Sequence, residues 1–190
     1  MKKIAIFASG SGSNAELTAR YLRELGVGET VLILTNHPKA GVIERARELG
    51  ISCEVFSREA LKDGSVLSLL KEKEVDIILL LGFLLLMPQE IIEAYEGRII
   101  NQHPALLPKY GGRGMFGHHV HAAVAVASEA ESGFTLHRVS PEYDEGAILF
   151  QARVDVSGDD ADEVERKVRE LEHQQAAPAI AQLIRDGQLG

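Results

Sequence analysis

Ile4-Ala5-Ile6-Phe7-Ala8-Ser9-Gly10-Ser11-Gly12-Ser13-Asn14 decides the fold. An unbroken apolar run is what a strand covered on both faces needs. It passes through a Ser/Gly loop straight into a helix from about Asn14 to Leu25. The same strand-then-helix unit recurs. Thr30 to Thr35 reads as a second strand, followed by a helix from Val42 to Leu49 with Glu44, Arg45, Arg47 and Glu48 outward. Ser52 to Phe56 reads as a third strand, and Ser57 can cap a helix starting near Arg58. Asp76 to Leu81 is the most hydrophobic strand and is expected at the sheet centre. Pro88 opens a helix to Tyr95, Gly97 ends it, and Arg98 to Asn101 forms a fifth strand.

Strands alternating with helices through short connections predict a mostly parallel, Rossmann-like α/β sheet with helices on both faces. After Pro108 the pattern changes. A Gly-rich loop, Gly111 to Gly117, precedes a helix from about His118 to Ser128. Two further strands, Gly133 to Val139 and Ala147 to Val156, read as an antiparallel C-terminal addition. Asp159 and Asp160 begin a last helix, where negative charge suits the dipole. Val164, Val168 and Leu171 keep its period, and Ile180, Leu183 and Ile184 carry an apolar face past Pro178. No repeat, low-complexity segment or linker interrupts the chain, so residues 1–190 are expected to form one domain.

The bulk composition narrows the function. A formal net charge of −8 leaves no basic excess to neutralise phosphates, which argues against general nucleic-acid binding. Cys53 is the one cysteine, so neither an internal disulfide nor a zinc cluster is expected. Met1-Lys2-Lys3 runs into the first strand with no long apolar region or cleavage site, so no signal peptide is expected, and the longest apolar run, Ile77 to Met87, falls short of the roughly 20 residues a membrane helix needs. A reducing, cytoplasmic setting fits, with no membrane partner.

Ser9 to Asn14 joins strand to helix with glycines that let backbone N–H groups approach a ligand, and a helix N-terminus favours negative charge. A phosphate suits it; a tight turn with nothing bound is the plain alternative. Gly10, Gly12 and Ala15 also satisfy a loose dinucleotide fingerprint. That motif needs a carboxylate at the end of the second strand, and Thr35-Asn36-His37-Pro38 has none.

Asn101-Gln102-His103-Pro104-Ala105-Leu106-Leu107-Pro108 places an amide and an imidazole two residues apart, on one side of an extended chain. An amide that can hold a carbonyl oxygen beside a ring that can give or take a proton suits acyl transfer. Polar side chains that merely cap the next loop are the bland reading. Pro141-Glu142-Tyr143-Asp144-Glu145-Gly146 lies between the two late strands and is rich in acid for a turn. Asp144 is either an Asx-turn residue or a partner for His103, whose pKa it would raise.

Gly10-Ser11-Gly12-Ser13-Asn14, Asn101-x-His103-Pro104-x-Leu106-Leu107-Pro108 and Asp144-x-Gly146 stand in that order. With Gly82-Phe83, Thr135-x-His137-x-Val139, Gln151-Ala152 and Glu172-His173, they resemble the phosphoribosylglycinamide formyltransferase family, folate-dependent enzymes of purine synthesis. The resemblance implies the formyltransferase fold and transfer of a formyl group from 10-formyltetrahydrofolate to the amine of glycinamide ribonucleotide, with no metal. It implies Asn101 as oxyanion holder, His103 as proton-donating, polarising imidazole and Asp144 as the group that orients it. It also implies that Gly12, Ser13, Asn14, Arg169 and Glu172 bind the ribonucleotide. On the same ground Arg58, Leu84, Leu85, Leu86, Met87, Ser140, Pro141, Glu142 and Tyr143 meet the folate.

Departures from the family pattern are specific. Gln102 stands where an aliphatic residue is usual, and is expected to face away from the site and need a partner. Leu85 takes a position often held by arginine, and the Gly111–Gly117 loop is long, either lid or wall. His118, His119 and His121 crowd a helix start, but no acid or cysteine in the adjacent turn supports a metal. His137 is expected to be a hydrogen-bonded wall. A formyltetrahydrofolate hydrolase using the same three residues on water is the nearest alternative; a nucleotide sensor that lost catalysis is a more distant one.

Overall fold

The computed structural model describes residues 1–189 and holds a seven-stranded sheet in the order β3-β2-β1-β4-β5-β6-β7. The strands are β1 (Lys2–Phe7), β2 (Gly28–Thr35), β3 (Ser52–Val55), β4 (Ile77–Leu81), β5 (Ile99–His103), β6 (Glu131–Arg138) and β7 (Ile148–Asp155). β1 to β5 pair in parallel; β6 and β7 pair antiparallel. The expected α/β architecture and its antiparallel addition are both present. β4 lies in the middle, and every one of its residues is buried. Each fully covered side chain there, such as Leu79, contributes roughly 1.5–3 kcal/mol by leaving water.

Helices pack on both faces. α1 (Ser13–Glu24), α2 (Val42–Leu49) and α7 (Ala161–Arg185) cover one side, where Ala15, Leu22, Ile33, Leu79 and Ile180 share a core. α3 (Arg58–Lys62), α4 (Ser65–Glu72) and α5 (Gln89–Ala94) cover the other, around Phe7, Leu70, Ile78 and Ile91. α6 (His118–Val126) leans on α7 through Val124, Val164 and Val168.

Local chemistry accounts for the ends. Ser57 Oγ accepts from Ala60 N at 3.1 Å, and Asp160 Oδ1 accepts from Glu163 N at 2.9 Å, so both helices start at capped residues. Two boundaries differ from the sequence reading. The helix expected from Arg58 onward is split at Gly64, whose φ of 89° breaks the turn. β5 runs on past Asn101 to His103, because pairing with β6 extends it.

The topology positions a site. β1 is flanked by β2 and β4, so the chain departs in opposite directions from its two sides. Such a switch point opens a crevice at the carboxyl ends of the strands. The loops after β1, β4 and β5 all emerge there.

Candidate active site

A cavity of about 630 Å³ fills that crevice, a size suited to a small-molecule site. Its walls hold Ser9 to Asn14, Leu80 to Met87, Asn101 to Pro104, Gly112 to Gly117, His121, His137, Ser140, Glu142 to Asp144, Glu165, Arg169 and Glu172.

The anion end is built at the start of α1. Gly12 is the N-cap, at φ 74°, and supplies no side-chain cap. The first N–H groups of the helix therefore have no partner within it. A side chain on Gly12 would collide with Val42 of α2, so the tight approach requires glycine. Ser13 and Asn14 are tied to α7: His173 Nε2 lies 3.0 Å from Ser13 Oγ, and Asn14 Nδ2 donates to Glu172 at 3.1 Å. Arg169 pairs with Glu165, which also lies 2.8 Å from His118 Nδ1. Gly12, Ser13, Asn14, Arg169 and Glu172 thus share one wall. Ser9 Oγ donates to Asn36 Oδ1 at 2.7 Å and accepts from Leu84 N at 3.1 Å, locking the loop after β1 to the ends of β2 and β4.

The opposite end, which holds Asn101, His103 and Asp144, is built from β5, β6 and the loop before β7. Antiparallel register sets Asn101 opposite His137 and His103 opposite Thr135. The turn after β5 is then clamped. Thr135 Oγ1 donates to the Ala105 carbonyl at 2.7 Å and accepts from Leu107 N at 3.1 Å, while Gln151 Nε2 donates to the Leu107 carbonyl at 2.9 Å. These bonds satisfy a buried backbone that has left the sheet.

Asp144 reaches into this end at φ 57° and packs its side chain to 9 % exposure. Its Oδ2 lies 3.6 Å from His103 Nδ1 and accepts from Gly112 N at 2.9 Å. Its Oδ1 lies 3.4 Å from both His137 Nε2 and Asn101 Nδ2. Left-handed backbone in a non-glycine residue carries strain that only surrounding contacts can hold. Tyr110, also left-handed at φ 57°, turns its carbonyl 2.7 Å from His103 Nε2.

A carbonyl can only accept, so His103 carries its hydrogen on Nε2 and aims Nδ1 at Asp144. His137 is fixed the same way: Nδ1 donates to the Arg138 carbonyl at 2.9 Å. Its neutral ring then accepts from Asn101 Nδ2 at 3.0 Å, which orients the Asn101 amide with its N–H groups toward the acid. When protonated, that same Nε2 faces Asp144 as a donor.

Burial pushes the His103 pKa below the usual value, against the pull of Asp144 and the Tyr110 carbonyl. The resting ring is therefore neutral at pH 7 and takes a proton before it can give one, which refines the sequence expectation of a proton donor. Burial would raise the Asp144 carboxyl, but His137, the His103 charge and the Gly112 N–H outweigh it and leave Asp144 below the usual range.

Two expected folate contacts do not line the cavity. Arg58 opens α3 with an exposed side chain, because Ser57 caps the helix and turns it outward. Pro141 is exposed at the tip of its loop, while Ser140, Glu142 and Tyr143 lie on the wall. Leu84, Leu85, Leu86 and Met87 all line it, and Leu84 and Leu86 are nearly half exposed there. The glycine-rich loop forms a wall, with Phe116 set edge-on to His119 at 5.7 Å. Gln102 is corrected as well: it is 6 % exposed and lies on the cavity wall rather than facing away from it, and its Oε1 has no partner among the described residues. His137 is, as expected, a hydrogen-bonded wall of the site, set beside Asn101 and Asp144. Its two-residue spacing from Thr135 was the available signal, but the register opposite Asn101 is set by a pairing across α6.

His121 is buried, its Nδ1 has no partner among the described residues, and burial lowers its pKa to about 4. A buried neutral histidine resists protonation that the unfolded chain accepts below about pH 6.5. Its stabilising effect is complete above that pH and is lost as pH falls toward 4. In urea titrations over pH 7 to 4, the native protein is expected to lose on the order of 3 kcal/mol more stability than His121→Gln. Parallel curves for the two proteins would contradict this.

Comparison with known proteins places this geometry in context. The family model described as formyl transferase matches residues 2–180. A chloroplastic phosphoribosylglycinamide formyltransferase of Arabidopsis thaliana is 39% identical over 180 residues, covering 90% of this chain and 62% of its own length. The chain thus spans less than two thirds of that plant relative. The Bacillus subtilis phosphoribosylglycinamide formyltransferase is 35% identical, with 97% of this chain and 95% of the relative covered. The crystal structure of the Brucella melitensis phosphoribosylglycinamide formyltransferase superposes with a TM-score of 0.86 at 34% identity, covering 96% of this chain and 95% of that one. Among the described residues no helix is long and apolar enough to cross a membrane, and no group of three or more His, Cys, Asp or Glu is placed to hold a metal.

Proposed function

Because the chain belongs to the formyl transferase family, we propose that it moves the formyl group of 10-formyltetrahydrofolate onto the amine of glycinamide ribonucleotide, with residues 1–190 acting as one catalytic domain. The observation that carries this reading is the meeting of Asn101, His103 and Asp144 in the cavity that also holds the Gly12–Asn14 anion loop.

In this reading the ribonucleotide phosphate docks on the α1 N-terminus, with Arg169 and Glu172 beside it. The pterin lies along Leu84 to Met87, whose apolar side chains suit a flat heterocycle, with Ser140, Glu142 and Tyr143 beside it. The substrate amine attacks the formyl carbon, and the carbonyl electron pair moves onto oxygen. Asn101 donates an N–H to that oxygen, exchanging its long bond to Asp144 for a stronger one to a developing charge. His103 takes the amine proton at Nδ1, and Asp144 stabilises the imidazolium. When the bond from carbon to folate nitrogen breaks, His103 returns a proton to the leaving nitrogen. The folate is a co-substrate, and no step needs a metal. The plant relative is named as chloroplastic, so the reading does not depend on one compartment.

The test is spectroscopic. Protein is mixed with formyl-folate, with and without glycinamide ribonucleotide, and the folate absorbance followed. Turnover that needs the amine supports transfer; equal turnover without it supports hydrolysis and rejects the reading.

A further inference from the structure

The loop at the anion end has its carbonyls occupied. The Gly10 carbonyl accepts from Val42 N at 3.2 Å, the Ser11 carbonyl from Arg45 Nε at 2.8 Å and the Gly12 carbonyl from Glu16 N at 2.9 Å. These donors come from α2 and from α1 itself, so none of the three oxygens is left to repel an anion. The Ser13 hydroxyl is the ambiguous group on this wall, because it can give or accept a hydrogen. A phosphate oxygen only accepts. The cradle is therefore complete only when the Ser13 hydrogen points to the ligand.

His173 of α7 decides that direction. Its Nε2 lies 3.0 Å from Ser13 Oγ, while its Nδ1 has no partner among the described residues. The ring also lines an outer groove between α1 and α7, with Leu17 and Gln174. The protein thus does not fix which nitrogen carries the hydrogen, in contrast to His103 and His137. Burial, followed by the Arg169 and Arg45 charges, holds the His173 pKa below the usual value. The ring is neutral at pH 7 and has one hydrogen to place. Placed on Nδ1, it leaves Nε2 to accept from Ser13 and draws the hydroxyl hydrogen away from the ligand. Placed on Nε2, it donates to Ser13 Oγ and leaves the hydroxyl hydrogen free.

Resting on the proposed function, we propose that His173 is a positioning residue that acts through Ser13: in the ribonucleotide complex it donates from Nε2 to Ser13 Oγ, which aims the Ser13 hydroxyl hydrogen at a phosphate oxygen. A hydroxyl that accepts one hydrogen bond is polarised to donate a stronger one, so the ring both orients Ser13 and strengthens its bond to the anion.

The test is a double-variant cycle. Calorimetric Kd for glycinamide ribonucleotide is measured at pH 8 for the native protein, His173→Leu, His173→Gln, Ser13→Ala and the combined Ser13→Ala, His173→Leu protein, with circular dichroism as a check on folding. His173→Leu is expected to bind roughly tenfold more weakly, the size of a lost hydrogen bond to a charged ligand. His173→Gln, whose amide nitrogen reaches where Nε2 stood, should stay within about twofold of native. In the Ser13→Ala background His173→Leu should cost nothing more, because the hydroxyl it acts through is gone. In turnover the change should fall on KM for the ribonucleotide and not on kcat. Nitrogen-15 NMR of the native protein should find the His173 hydrogen on Nε2 in the ribonucleotide complex. A tenfold loss that persists in the Ser13→Ala background overturns this role, since that is the mark of lost packing between α1 and α7. Equal Kd for the native protein and His173→Leu overturns it too, as does a complex with the ring hydrogen on Nδ1. Each of these leaves the transferase reading intact. No ribonucleotide binding by the native protein overturns the underlying reading, and this role with it.

Discussion

Asp144→Asn is expected to fold normally and to lose on the order of 10³-fold in kcat. Asparagine tolerates the left-handed backbone at φ 57° and keeps an oxygen for the Gly112 N–H. Stability should therefore change little. What is lost is the charge 3.6 Å from His103 Nδ1. His103 already sits below its usual pKa through burial. In the neutral Asp144→Asn protein only the Tyr110 carbonyl still opposes that cost, and the imidazolium of the proposed transfer becomes harder to reach. Steady-state formyl transfer, beside a thermal melt, checks both halves. Near-native kcat in a well-folded Asp144→Asn protein would remove the acid from the mechanism.

The second large effect is one of coupling. Asn101→Ala should lower kcat roughly 10²–10³-fold, as loss of an oxyanion donor does. His103→Ala should lower it at least as far. The double variant should be little worse than the poorer single one, because in the proposed mechanism Asn101, His103 and Asp144 act on one tetrahedral centre as a unit. Asn101 and His103 share the acid between them: Asp144 offers Oδ1 to one and Oδ2 to the other. Multiplying losses would mean that the two side chains serve separate steps.

Much of the site could be read from local pattern, and the exceptions share a physical cause. The Ser9–Asn14 loop, the caps at Ser57 and Asp160 and the buried β4 depend on residues close in sequence, so periodicity and capping chemistry reveal them. Asn101 and His103 were visible because strand alternation alone places them together. His137 was legible as a hydrogen-bonded wall of the site, but its partner was not, and Gln102 was placed wrongly, both for a different reason. His137 joins the cluster through its register with Asn101, across strands that α6 separates. Gln102 lines the cavity because the crevice opens at the end of β5, which alternation along the strand does not reveal. Arg58 lies off the cavity for a geometric reason: the Ser57 cap starts α3 there and leaves the arginine exposed. The approach of Asp144 needed a strained loop, which no turn propensity foretells.

Carbon-13 in the formyl group of the folate donor gives the most direct measurement of the central claim, that this cavity passes a formyl group to an amine rather than to water. Nuclear magnetic resonance of the products, after reaction with glycinamide ribonucleotide, should find the label in a formamide on the ribonucleotide and the same signal missing with Asp144→Asn. Label appearing as free formate, at a rate indifferent to the ribonucleotide, would contradict the account.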